Sequence, residues 1–126
     1  MDGLTINEAA QTTGWSPRML RYIERAGLLS LRRSAGGYRL YGPEQLQRLR
    51  TLRQLLERFH LGLSELGFAR RLREEPEMVA AIDEWFDTEP QRPEFIAPDA
   101  WLRWEQEKHQ ALLAAASAHI HRLEPV

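Results

Sequence analysis

The chain has 126 residues, 43% of them hydrophobic, which suits one domain or one small domain with an added oligomerisation arm. It has no cysteine, which excludes disulfides, thiolate metal sites and thiol redox sensing, and no stretch approaches the apolar length of a membrane span. The net charge of −1 conceals a division: residues 1–73 carry 13 Arg against 6 acidic side chains, whereas residues 74–126 carry 4 basic against 12 acidic ones. Such asymmetry points to a polyanion-binding half joined to a half with another task.

In chain order, Met1-Asp2-Gly3 lacks the basic-then-apolar layout of a secretion signal, and a cytoplasmic, nucleoid-associated setting is expected. Thr5-Ile6-Asn7-Glu8 has the form of a capping box that opens a short helix ending at Gly14. Ser16 caps a second helix with Pro17 in its first turn, and this helix stops near Gly27. Two short helices joined by a tight turn make a helix-turn-helix. Leu28-Leu29 and Tyr38-Arg39-Leu40-Tyr41 read as two short strands around the turn Ser34-Ala35-Gly36-Gly37, a hairpin that serves as a wing. Gly42-Pro43 opens a longer helix to about His60, ended by Gly62, with an apolar stripe at Leu46, Leu49, Leu52, Leu56 and Phe59. Ser64 then caps a helix with Leu66, Ala69 and Leu72 on one side.

Beyond residue 74 the pattern stays helical but turns acidic. Pro76 begins a short amphipathic helix with Met78, Val79, Ile82, Trp85 and Phe86 inward, and Pro90, Pro93 and Pro98 mark an irregular connection. Asp99 caps a final helix to about Leu123. Its Leu102, His109, Ala116 and Leu123 lie seven apart, as do Gln106, Leu113 and Ile120, a heptad-like seam suited to a second helix. The fold class is therefore mainly α, a winged helix-turn-helix followed by a short helix and a C-terminal dimerisation helix. The corresponding divisions are residues 1–74, 75–98 and 99–126.

Function rests on where arginine and tyrosine fall. Arg18, Arg21, Tyr22 and Arg25 share one face of the second helix, while Met19, Leu20 and Ile23 are available for the core. A helix with an arginine-tyrosine face and an apolar back can lie in a major groove of double-stranded DNA while staying anchored. Ser16 at the helix start is counted with this face. Arg32, Arg33, Tyr38, Arg39 and Tyr41 of the wing reach phosphates beside the groove. The bland alternative is a solvated basic surface, and the agreement of helix and wing weighs against it.

These residues also carry a resemblance. Gly14-Trp15-Ser16, Leu20-Arg21-Tyr22-Ile23-Glu24, Gly27-Leu28-Leu29 and Gly37-Tyr38-Arg39-Leu40-Tyr41 together resemble the signature of the MerR family of bacterial transcription regulators. The family typically reads Arg-Tyr-Tyr-Glu where this chain has Arg-Tyr-Ile-Glu, and usually has a proline soon after Gly-Leu-Leu. The resemblance covers about residues 4 to 73. It implies a homodimer on a palindromic promoter operator, bending and untwisting of that promoter for RNA polymerase, Arg21 and Tyr22 at the DNA, and Tyr38, Arg39 and Tyr41 in the wing. It implies dimerisation through the last helix, against the alternative that this helix folds back on its own domain. The family's metal and redox sensors carry cysteines at the end of the dimer helix, which this chain lacks. Its drug sensors append a large binding domain, for which no residues remain.

Two further readings stay open. An excisionase-like or architectural protein could use the same winged fold. A small-ligand protein could use Trp85, Phe86, Phe95, Trp101 and Trp104, with Asp83, Asp87 and Glu105 nearby, to hold a cationic, lipophilic molecule. The competing reading makes these aromatics packing groups that staple the short helix and the connection. His60, His109, His119 and His121 have no metal-binding spacing, and the paired carboxylates have no associated nucleophile. Neither catalysis nor a cofactor nor a metal is expected.

Overall fold

The computed structural model describes residues 3–61 and 65–123, with side chains at 65–66 and 116–123 outside the description. The first helix, α1 (Ile6–Thr13), starts where the Thr5 amide donates to Glu8 Oε1 at 2.9 Å and the Glu8 amide donates to Thr5 Oγ1 at 3.2 Å. It ends at Gly14, whose φ of 82° lies in the left-handed region that glycine adopts without steric cost. Helix α2 (Pro17–Arg25) begins under Ser16, whose Oγ accepts from the Met19 amide at 3.1 Å. Met19, Leu20 and Ile23 are fully buried beneath it, as their spacing requires.

The wing is shorter and later than the sequence pattern suggests. Its strands are β1 (Arg32–Arg33) and β2 (Arg39–Leu40), paired antiparallel with Arg32 opposite Leu40 and Arg33 opposite Arg39. Leu28-Leu29 is not a strand: Leu29 is buried, and the apolar pair anchors the segment leaving α2 to the core. Leu4 adds one further antiparallel bridge to Tyr41, with reciprocal backbone bonds of 2.8 and 2.9 Å. The N-terminus thereby ties the wing base to the start of α1.

Helix α3 (Pro43–Arg58) is the spine, burying Leu46, Leu49, Leu52, Leu55 and Leu56. It ends earlier than a Gly62 stop would give. His60 takes the left-handed conformation (φ 55°), and the Leu61 amide closes back on the Leu56 carbonyl at 3.0 Å. Gly62 and Ser64 lie outside the described residues, and α4 (Glu65–Glu74) follows. Phe68, absent from the expected face of this helix, is fully buried, while Ala69 and Leu72 are partly buried; Leu66 lies outside the described side chains. In α5 (Pro76–Asp87) Met78, Ile82 and Trp85 are buried as expected, but Val79 and Phe86 are exposed. Asp99 is not a cap: one 3-10 turn at Pro98–Ala100 runs directly into α6 (Trp101–Leu123).

One core serves both halves. Met78, Ile82 and Trp85 belong to the same cluster as Leu20, Ile23, Leu46 and Leu52, with Leu102 packed against it. Helix α6 lies across α3 and α1, and a buried polar group locks it there. The Glu105 carboxylate is fully buried and accepts from Arg50 Nε at 2.8 Å, Trp101 Nε1 at 3.0 Å and Gln47 Nε2 at 3.2 Å. Gln47 also pairs with the Gln91 backbone in both directions, at 2.6 and 2.8 Å, pinning the proline-rich connection. One turn beyond Glu105, His109 is buried with Nε2 at 2.7 Å from the Leu46 carbonyl and no partner at Nδ1. A carbonyl only accepts, so Nε2 carries a proton, and burial with no acceptor at Nδ1 favours the neutral ring.

Removing one partner of a buried ion pair leaves the other uncompensated. Glu105→Ala is expected to lower unfolding free energy by about 3 kcal/mol in urea titration, since Arg50 stays only 17% exposed. Burial holds the His109 pKa below the usual histidine value, and a second proton would sit at Nδ1 with no acceptor. As pH falls through about 6.5, the unfolded chain therefore binds a proton that the folded chain refuses. Stability is expected to fall over this window, and urea melts at pH 7 and 5.5 should show that part of the loss absent in His109→Gln.

Candidate nucleic-acid interface

Helix α2 and the wing place their arginines on a common surface. Arg18, Arg21 and Arg25 are exposed along α2, and Arg39 of β2 joins them to line a concavity of about 350 Å³. The spacing explains the convergence: positions three and seven residues after Arg18 return to one side of a helix, opposite the buried Met19, Leu20 and Ile23. Arg32 and Arg33 on β1 are also exposed. The wing tip is a tight turn in which the Gly37 amide donates to the Ser34 carbonyl at 2.9 Å and the Ser34 amide donates to the Tyr38 carbonyl at 2.8 Å. Gly37 there has φ 83°, and Tyr38 stands 74% exposed beside it.

Glu24 joins the two parts. It is the acidic member of the α2 arginine surface, and its carboxylate accepts from Arg39 Nε at 2.6 Å and from Arg33 Nη2 at 3.3 Å. The carboxylate is 18% exposed, and its bond holds the Arg39 guanidinium pKa above the usual value, so that cation stays charged. Sequence reasoning quoted Glu24 within a motif and gave it no role. A lone acid amid basic residues was the signal available.

Two residues of the expected surface are withdrawn, one fully and one in part. Tyr41 is fully buried rather than presented by the wing, because its backbone pairs with Leu4 and its ring faces the core. Its hydroxyl has no hydrogen-bond partner, and burial pushes the phenol pKa up to about 12. Tyr22 is half-buried and meets Phe68 of α4 edge-on, with ring centroids 6.0 Å apart. It thus links α2 to α4 while keeping an accessible edge. Ser16 is exposed, with its hydroxyl engaged in the cap.

The aromatic residues do not converge on one cavity. Trp85 Nε1 donates to Thr51 Oγ1 and the Arg48 carbonyl at 2.9 and 3.0 Å, stapling α5 to α3. The Arg48 guanidinium lies 4.9 Å from the Trp85 ring and 5.6 Å from Phe86, and donates to the Phe86 and Thr88 carbonyls. The chain's own cation therefore covers the rings that a cationic ligand would need. Trp101 is buried on Glu105, while Phe95 is 79% exposed and packs edge-on against Trp104 at 6.1 Å. Of the five, only Trp85 lines the roughly 370 Å³ cleft between α3 and α5.

Three members of the expected α6 seam are engaged within the chain. Leu102 packs on the core, His109 on Leu46, and Leu113 on the helix-turn-helix itself. A Cβ built on Gly14 would lie 2.8 Å from Leu113 Cδ2, so glycine at the turn is what admits this contact. Apolar positions seven apart bury equally well against one's own domain as against a partner, and α3 and α1 supply the surface here. Ala116, Ile120 and Leu123 have side chains outside the description.

Residues 4–66 match the family described as MerR HTH family regulatory protein, half of the chain. Among curated proteins, the chain is 40% identical over 52 residues to the heavy metal-dependent transcription regulator 2 of Rhizobium meliloti (strain 1021). It is likewise 40% identical over 52 residues to the HTH-type transcriptional regulator HmrR of Sinorhizobium medicae (strain WSM419). Each match covers 40% of this chain and 35% of the relative, so the shared part is about a third of either relative.

The orphan Tyr41 hydroxyl gives a measurable contrast with a wing residue. Tyr41→Phe keeps the ring and removes an unsatisfied polar atom, so stability is expected to rise by about 1 kcal/mol in thermal or urea melts. The phenolate absorbance step near pH 12 should vanish with it.

Proposed function

The chain belongs to the MerR HTH regulatory family, and on that footing we propose that it is a DNA-binding regulator of transcription. The observation that carries this reading is the meeting of Arg18, Arg21 and Arg25 of α2 with Arg39 of the wing on one concave surface. A recognition helix followed by a basic hairpin fits a major groove with its flanking phosphate backbone. Arg21 and Arg25 reach base edges in this reading, with Arg18 and the wing arginines Arg32, Arg33 and Arg39 on phosphates. Tyr22 supports the helix through Phe68 and offers its edge to the groove. Tyr41 is withdrawn from the contact set by its burial.

In the same proposal two copies bind a palindromic promoter operator. Contact energy from two half-sites then offsets the cost of bending and untwisting the DNA between them, and RNA polymerase is the partner that uses the deformed promoter. The outward side of α6, with exposed Ala111, Ala114 and Ala115, is the surface left for a second copy once Leu102, His109 and Leu113 face inward. The metal dependence in one relative's name stays with that protein, since the match covers 35% of it.

The test is selection of bound sequences from random double-stranded DNA, followed by affinity measurement on the enriched site. An inverted repeat with about 10 bp between half-site centres is expected. Arg21→Ala should weaken binding to that site by about 1–3 kcal/mol and relax one base position. A chain that enriches no sequence, or an Arg21→Ala variant that binds unchanged, contradicts the assignment.

A further inference from the structure

A carboxylate on a surface that binds a polyanion opposes binding unless it does something else. Glu24 stands on α2 between Arg21 and Arg25, where each unit of negative charge repels phosphate. It is only 18% exposed, and it faces the wing rather than solvent. Its two oxygens are divided between the two strands of the hairpin: Oε1 takes Arg39 Nε of β2, and Oε2 takes Arg33 Nη2 of β1. By engaging Nε of Arg39, the carboxylate fixes the plane of that guanidinium and leaves its terminal nitrogens for the concavity it shares with Arg18, Arg21 and Arg25.

The hairpin itself has little else to orient it. Its strands are two residues long, and apart from Glu24 the bonds that tie it to the rest of the chain lie at its base: the Leu4–Tyr41 bridge, and Gln45 of α3, whose Nε2 donates to the Ser30 carbonyl at 3.1 Å and whose Oε1 accepts from the Gly42 amide at 2.9 Å. A ribbon that short is marginal alone and takes its angle from what it is tied to. Beyond that base, the tie described for the strands themselves is Glu24, through Arg33 and Arg39.

Resting on the DNA-binding reading above, we propose that Glu24 is a specificity-determining positioning residue. It sets the angle between recognition helix and wing, and so decides which phosphates Arg33 and Arg39 reach once α2 is seated on its own operator. The carboxylate touches no DNA. It sacrifices general attraction to the backbone in exchange for register, so its loss should move specific and non-specific affinity in opposite directions. A residue that merely held the fold together would weaken both.

The experiment measures binding of the full chain, wild type and Glu24→Gln, to the selected operator and to a scrambled duplex of equal length across a salt series. Glu24→Gln is expected to bind the operator about tenfold more weakly, with the scrambled duplex bound equally or more tightly. The salt slope on the scrambled duplex should steepen by about 1, as released cations become free to neutralise phosphate. In an Arg33→Ala, Arg39→Ala background the same substitution should leave the operator-to-scrambled ratio unchanged, because its targets are gone. An unchanged ratio in the wild-type background, or an equal fall on both duplexes, overturns the proposal. So does the same ratio change in the double-alanine background. Should Glu24→Gln melt below the assay temperature, Glu24→Asp keeps the charge and shortens the reach. It is expected to lower the ratio likewise, and an unaltered ratio there is equally fatal. A wild type that enriches no operator sinks the DNA-binding reading itself, whereas an operator with a Glu24-independent ratio sinks this inference alone.

Discussion

A carboxylate taken wholly out of water must be met by donors, and the Glu105 cluster meets that demand from three directions. Arg50 and Gln47 come from the spine helix α3, and Trp101 comes from one turn earlier on α6 itself. Because the charge is stabilised only in that geometry, α6 has one register on α3 and one depth. His109, one turn on, then falls on the Leu46 carbonyl, and Leu113, another turn on, falls on the helix-turn-helix. The proline-rich connection is fixed by the same group, since Gln47 binds the Gln91 backbone as well as Glu105. An acidic C-terminal half is thus joined to a basic N-terminal half through a buried pairing of opposite charges, with long-range charge asymmetry left on the surfaces.

Much of this was legible from the residues. Local signals with a short mechanical reach were read correctly: the Thr5–Glu8 box, the Gly14 stop and the Ser16-Pro17 start all depend on atoms within a few residues of one another. The arginine face of α2 followed from helical period alone. What the residues alone left open, or placed differently, depended on what each segment meets in space. Tyr41 alternates with Arg39 in a way that suits a wing, but the pairing of Leu4 turns it into the core. The α6 pattern of Leu102, His109 and Leu113 reads the same whether the covering surface is a second chain or α3. Glu24 and Glu105 were invisible for a related reason: a carboxylate's role is defined by arginines 9, 15 and 55 residues away in sequence.

The packing of α6 changes how the two halves relate. Leu113 touches the turn at Gly14, and Arg53 of α3 donates to the Thr13 carbonyl at the same turn. The joint between α1 and α2 is therefore gripped from outside the motif. Movement of α6 away from α3 would open the Glu105 cluster and expose this joint together, so the two events are coupled by geometry rather than by a linker.

The surface formed by α2 and the wing carries its positive charge entirely on arginine. Lys108, the lone lysine of the chain, lies on α6 with its ammonium 5.1 Å from the Trp104 ring centroid. Lysine acetylation, which dims many nucleic-acid-binding surfaces by erasing charge, therefore has no side-chain substrate on α2 or on the wing. Nor can any pH that the fold tolerates discharge a guanidinium. The affinity of this surface is insulated from that whole class of enzymatic tuning. Methylation of arginine would leave the charge in place and alter only the hydrogen-bonding fork.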